Sequence, residues 1–185
     1  CSLIPRFYDV DDGQISIDGI DIRAMTQRSL RRQIGIVQQD VFLFAGSIAD
    51  NIDLGSGFPR ERIVEAAKLS RADDFISQMP EGYDTQVTEG AGNLSAGQRQ
   101  LIAFARIIAH DPGVIILDEA TANVDTETES LLQEGLDHLL ENRTALIIAH
   151  RLSTIRKADR ILVLGHGKLI EDGSHGELLE KNGVY

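Results

Sequence analysis

Three short apolar runs in this 185-residue chain stop abruptly at side chains able to do chemistry. "IGIV" runs into Gln38 and Gln39, "VIIL" into Asp118 and Glu119, and "ALIIA" into His150. Carboxylates, amides and imidazoles are the side chains best able to bind a polar ligand or move a proton. A single polar strand end is unremarkable, but three carrying Gln, Asp-Glu and His read as a site.

A fourth stretch, "NLSAGQRQLIAFARIIA", sets a small polar loop against the start of an apolar helix. Ser95 and Gln98 fit the S-x-x-Q capping box, in which each side chain satisfies a backbone N–H at the helix start. Leu101, Ile102, Ala105, Ile108 and Ala109 then form one apolar face. The same start also suits an anion. Free N–H groups and a dipole of about half a charge point outward, and small residues at Ala96 and Gly97 let a phosphate approach. Taken alone, the stretch is explained by the cap.

The elements that must position these residues are legible in outline. Apolar runs without alternation predict a mostly parallel sheet covered on both faces, with ligands bound beyond the carboxyl ends of its strands. From Thr126, "TETESLLQEGLDHLLEN" places Leu132, Leu136, Leu139 and Leu140 on one stripe, predicted to face the sheet. Glu127 and Glu129 suit its positive start, and Gly135 weakens it slightly. From about Ser47 to His110 no comparable strand run occurs, which predicts a mostly helical insert with one helix opening at Pro59 and another near Asp73 to Met79. "ISIDGIDI" centres on Asp18-Gly19 and predicts a hairpin. "RILVLGHGKLIEDG" predicts a second, and "SHGELLEKNG" a short capped helix.

Composition narrows the class. With 42% hydrophobic and 25% charged residues the chain reads as an ordinary globular protein. A formal net charge of -11 argues against a nucleic-acid partner gripped by a basic face. Its one cysteine, Cys1, excludes an internal disulfide framework. The apolar runs are too short to cross a bilayer.

Taken together, these stretches resemble the nucleotide-binding domain of ABC transporters along nearly the whole chain. "LSAGQ" is similar to the family signature LSGGQ, with Ala96 in place of the first glycine. "VIILDEAT" is similar to the Walker B strand and its following acid. "ANVD" is similar to the D-loop, with Ala122, Asn123 and Val124 for the commoner Ser-Ala-Leu before Asp125. "VQQD" resembles the Q-loop and "IIAH" the switch histidine. "RFYDVDDGQISIDGIDI", "MPEGYDTQVTEGAGNLS" and "AHRLSTIRKADRILVLGHGKLIEDGSHGELL" resemble the exporter branch.

The resemblance implies an α/β, RecA-like P-loop NTPase core with an inserted helical subdomain and an N-terminal antiparallel hairpin. It divides the chain into core and Q-loop (1–46), helical subdomain with the signature (47–110), and core with Walker B, D-loop and switch histidine (111–185). It further implies ATP and Mg2+ as ligands. Asp118 and Gln39, chosen over its neighbour Gln38 because it directly precedes Asp40, would hold the metal, Glu119 would act as general base or position the water, and His150 would meet the γ-phosphate. Ser95, Ala96, Gly97 and Gln98 would address the ATP of a second, head-to-tail domain, with Asp125 at that interface. Phe42 and Phe44 either face a partner or anchor the subdomain. A transmembrane domain would be the other partner, placing the segment at the cytoplasmic face of a membrane. The competing expectations are a soluble ATPase of this class acting on DNA or ribosomes, and a non-catalytic interaction fragment.

The family's P-loop, G-x-x-x-x-G-K-[ST], is not present in these 185 residues. The nearest spacing, "GNLSAGQR" from Gly92, has Gln98 and Arg99 at the Lys and Ser/Thr positions. "CSLIPRFYD" resembles the helix that follows a P-loop, so the expectation is a segment truncated just after that loop, missing the N-terminal part of the fold and inactive alone.

Overall fold

The computed structural model describes residues 2–38, 40–118, 126–149 and 152–185. The chain divides into two compact units, Cys1–Ile147 and Ile148–Tyr185.

The first unit opens with the predicted hairpin, β1 (Ser16–Ile17) against β2 (Ile20–Asp21). Asp18 and Gly19 both take positive φ, +50° and +80°, as a two-residue primed turn requires. A 3-10 turn over Ile22–Ala24 leads to α1 (Gln27–Arg32), whose first turn is capped by the Thr26 hydroxyl accepting from the Ser29 N–H at 3.2 Å. Next come β3 (Ile34–Val37), β4 (Gly46–Ser47), α2 (Ile48–Asp53), α3 (Arg60–Leu69), α4 (Asp73–Ile76), β5 (Gln86–Val87) and α5 (Ala96–His110). β6 (Val114–Asp118), α6 (Thr126–Leu140) and β7 (Thr144–Ile148) follow. From 48 to 110 the regular elements are helices joined by turns, apart from two-residue β5, which pairs antiparallel with β4, a contact too short to leave a periodic signal in sequence.

The three predicted runs form one sheet in the order β3-β6-β7. β3 and β6 pair in parallel, Ile34 opposite Val114 through Val37 opposite Leu117. β6 is covered on both faces. Ile115 and Leu117 join a core with Leu101, Ile102, Phe104, Leu136 and Leu139, while Ile116 packs on the other side with Ile22, Leu30 and Ile34. Each such buried side chain is worth roughly 1.5–3 kcal/mol. Among the described residues β7 lies last in this order, with Leu146 and Ile148 exposed and Ile147 packed on the core.

α5 is the hub of this unit, packing on α2, α3, α6 and β3. The leucine stripe of α6 shares the core of Ile115 and Leu117 of β6, as expected, and the helix also packs along α5.

The second unit contains α7 (Leu152–Lys157), the hairpin β8 (Ile161–Gly165) and β9 (Lys168–Gly173), and α8 (His175–Lys181). The hairpin turns at His166-Gly167, and a reciprocal Ser174–Glu177 box caps α8.

Candidate functional site

Parallel pairing places two of the polar strand ends at one edge. Because Val37 lies opposite Leu117, Gln38 and Asp118 leave the sheet side by side at the carboxyl ends of β3 and β6. Asp118 is half-buried at the mouth of a strand whose three preceding residues are fully enclosed. A carboxylate so placed is a hard oxygen donor of the kind that suits Mg2+, which takes one or two carboxylates and completes its shell with phosphate and water. No group of three or more metal-ligating side chains occurs among the described residues. Gln39, Glu119, Asp125 and His150 lie outside the described residues.

The helix start at Ser95 is fully described, and both halves of the box are made. The Ser95 hydroxyl accepts from the Gln98 N–H at 3.2 Å, and the Ser95 N–H donates to Gln98 Oε1 at 2.9 Å. Arg99 N–H already donates to the Ser95 carbonyl at 3.0 Å. Helix geometry leaves the Ala96 and Gly97 amides without an intrahelical acceptor. Ser95 and Ala96 are exposed, whereas Gly97 is buried.

Side chains with no chemical role hold this start in place. Asn93 donates to the Gln86 carbonyl at 2.9 Å and accepts from the Thr88 hydroxyl at 3.1 Å, sewing β5 to the residues before the cap. Arg99 reaches back to the Leu94 carbonyl at 2.7 Å, over a buried Leu94. Asn93 stands at the head of the quoted stretch, but its contacts are seven and five residues away and leave no local pattern.

The loop after β3 carries the two phenylalanines. Phe42 and Phe44 are 66% and 54% exposed, and their rings meet edge to face at 5.0 Å. Of the two sequence readings, exposure fits a surface and not an anchor. Their backbone is nonetheless pinned from below. Asn51, 1% exposed on α2, accepts the Phe44 N–H at 2.8 Å and donates to the Phe44 and Ser47 carbonyls at 2.9 and 3.0 Å. Arg106 of α5 donates to the Asn51 carbonyl at 2.8 Å and to the Phe42 carbonyl at 3.4 Å from both terminal nitrogens. Burial pushes the Arg106 guanidinium below its ordinary pKa. Sequence inspection missed this pair, since nothing about Asn51 or Arg106 distinguishes them from a helix-surface amide and cation.

Comparison with known proteins agrees with the geometry. A family model described as ABC transporter matches residues 1–122. An uncharacterized ABC transporter ATP-binding protein of Bacillus subtilis (strain 168) is 55% identical over all 185 residues, which cover 31% of its length. A Staphylococcus aureus protein whose name is that of a multidrug export ATP-binding/permease protein is 52% identical over the same span, 32% of its length. Among solved structures, a bacterial Atm1-family ABC exporter with ATP bound superposes with a TM-score of 0.91 at 45% identity, covering the whole chain and 32% of that protein. The chain thus spans about a third of the length of these relatives. Among the described residues no helix is long and apolar enough to cross a membrane.

Proposed function

The chain belongs to the ABC transporter family, and from that premise we propose that it serves as the ATP-hydrolysing domain of an exporter. In this reading, binding of ATP draws two such domains together head to tail, and hydrolysis releases them. What supports the reading is that β3, which leads toward Gln39, and β6, which ends at Asp118, pair in parallel with their carboxyl ends side by side, in a chain that also has a boxed, exposed helix start at Ser95. The subdivision into core, helical subdomain (47–110) and second core segment belongs to the same proposal.

Each residue has a task set by its chemistry. Glu119 takes or orients the proton of the attacking water, which must lie in line with the γ-phosphorus. Asp118 and Gln39 are the oxygen donors for Mg2+, which when bound neutralises phosphate charge. His150 hydrogen-bonds the γ-phosphate and registers its loss. Ser95, with the Ala96 and Gly97 amides and the Gln98 that holds the box, meets the nucleotide of the facing domain, and Asp125 lines that contact. Phe42 and Phe44 face the transmembrane part at the cytoplasmic side of the membrane.

These 185 residues contain no G-x-x-x-x-G-K-[ST] cradle, so the segment alone binds ATP weakly and does not turn it over. Calorimetric titration of Mg-ATP into the 185-residue chain tests this: little heat is expected, and tight binding overturns it. Phosphate release by the whole protein, compared with its Glu119→Gln variant, tests the activity itself.

A further inference from the structure

We propose that Arg106 and Asn51 are positioning residues that lock the aromatic step at Phe42 and Phe44 to α5, so that the step and the Ser95 helix start move as one body. The inference rests on the reading of this chain as an ATP-driven transport domain and names the mechanical link inside it.

Residues 41–44 belong to neither helix nor strand, so no ladder satisfies their backbone. Two side chains engage the Phe42 carbonyl and both backbone groups of Phe44. Asn51 engages Phe44 through both its N–H and its carbonyl, as a neighbouring strand would. Arg106 spans from the carbonyl of Asn51 to the carbonyl of Phe42, tying the loop, α2 and α5 at one point. Its acceptors here are neutral carbonyls, and among the described residues no carboxylate forms an ion pair with it.

An apolar side chain would fill this place without desolvating a charge. What only a guanidinium supplies is a rigid fork of donors that holds two segments at a fixed spacing. Arg106 lies on the same continuous helix as Ser95, eleven residues on, or about 16 Å along the axis at 1.5 Å per residue. Between them α5 is buried on Leu101, Ile102, Phe104 and Ala105 and is stiffened by that packing. A push on the exposed ring pair therefore reaches the capped helix start through hydrogen bonds and one helix. Packed elements shift as units and do not bend continuously.

The test is hydrogen exchange on the whole protein that carries this segment, with and without Mg-ATP plus vanadate, read over residues 42–47 and 94–100. In the unmodified protein nucleotide slows exchange in both segments by about tenfold, within the range usual for coupled sites. In Arg106→Met, residues 94–100 still respond, while 42–47 change by less than about twofold. Arg106→Lys keeps the stem and the charge but loses the fork, and it shows the same split if the methionine variant does not fold. A merely structural role would alter both segments alike and leave their responses linked. Joint responses in the folded variants overturn the proposal, as does a silent 42–47 beside a responsive 94–100 in the unmodified protein. If neither segment of the unmodified protein responds, the nucleotide reading itself fails.

Discussion

Gly135 of α6 lies directly against the backbone of Ser70 at the end of α3: a Cβ built on Gly135 would come 2.5 Å from the Ser70 carbonyl oxygen and 3.1 Å from its carbon. Backbone cannot swing aside as a side-chain tip can. Gly135→Ala gains about 1 kcal/mol of helix propensity yet forces the two helices apart, a cost of roughly 1–3 kcal/mol. The variant is expected to be less stable in urea unfolding. Gly176→Ala on α8, where nothing lies within 4 Å, is the control and should be neutral or slightly stabilising.

The helix start at Ser95 can be split into its two roles. Aspartate caps a helix about as well as serine, so Ser95→Asp should keep the melting temperature, whereas Ser95→Ala loses about 1 kcal/mol. An added negative charge at an anion-facing helix start repels phosphate. Turnover by the whole protein is therefore expected to fall at least about tenfold in Ser95→Asp despite its intact fold. Unchanged turnover with an unchanged melt would leave Ser95 as a cap only.

At the other end of α5, His110 sets an acid limit on stability. Its Nε2 lies 3.2 Å from the Asp53 carbonyl and its ring packs edge to face on Phe58 at 4.9 Å. Burial holds its pKa below the ordinary 6.5. The Asp53 carbonyl and carboxylate pull it up, while nearby Arg106 and Arg62 push it down. Since the folded value is the lower one, the unfolded chain takes the proton first. This contribution to stability is whole above the unfolded pKa and is lost as pH falls through it toward the folded value. Thermal melts between about pH 7.5 and 5.5 should show a decline that His110→Gln makes shallower; an equal decline in both would exclude His110 as its source.

Much of this was legible because the signals are local. Asp18-Gly19 announces its hairpin since few other residues accept two positive φ angles in succession. Ser95 and Gln98 announce their box because both partners sit within one turn. The parallel strands announce themselves by apolar runs buried on both faces, as Ile115, Ile116 and Leu117 are. What could not be read depends on pairs distant in sequence. Gly135 looked like a weak point in α6 until Ser70 was placed against it. Asn51 and Arg106 meet across 55 residues. β7 carries the same run type as β6, yet among the described residues only β6 has a strand on both sides.

Glu119, the proposed base that follows Asp118 in the sequence, carries the proposed chemistry. The most direct test is steady-state phosphate release from Mg-ATP by the whole protein and by Glu119→Gln, which keeps the size of the side chain but cannot accept the proton. In Glu119→Gln, kcat is expected to fall by about 100-fold or more while ATP is still bound, the size usual for loss of a general base. Turnover within about twofold of the unmodified protein would contradict it and move the chemistry to another group.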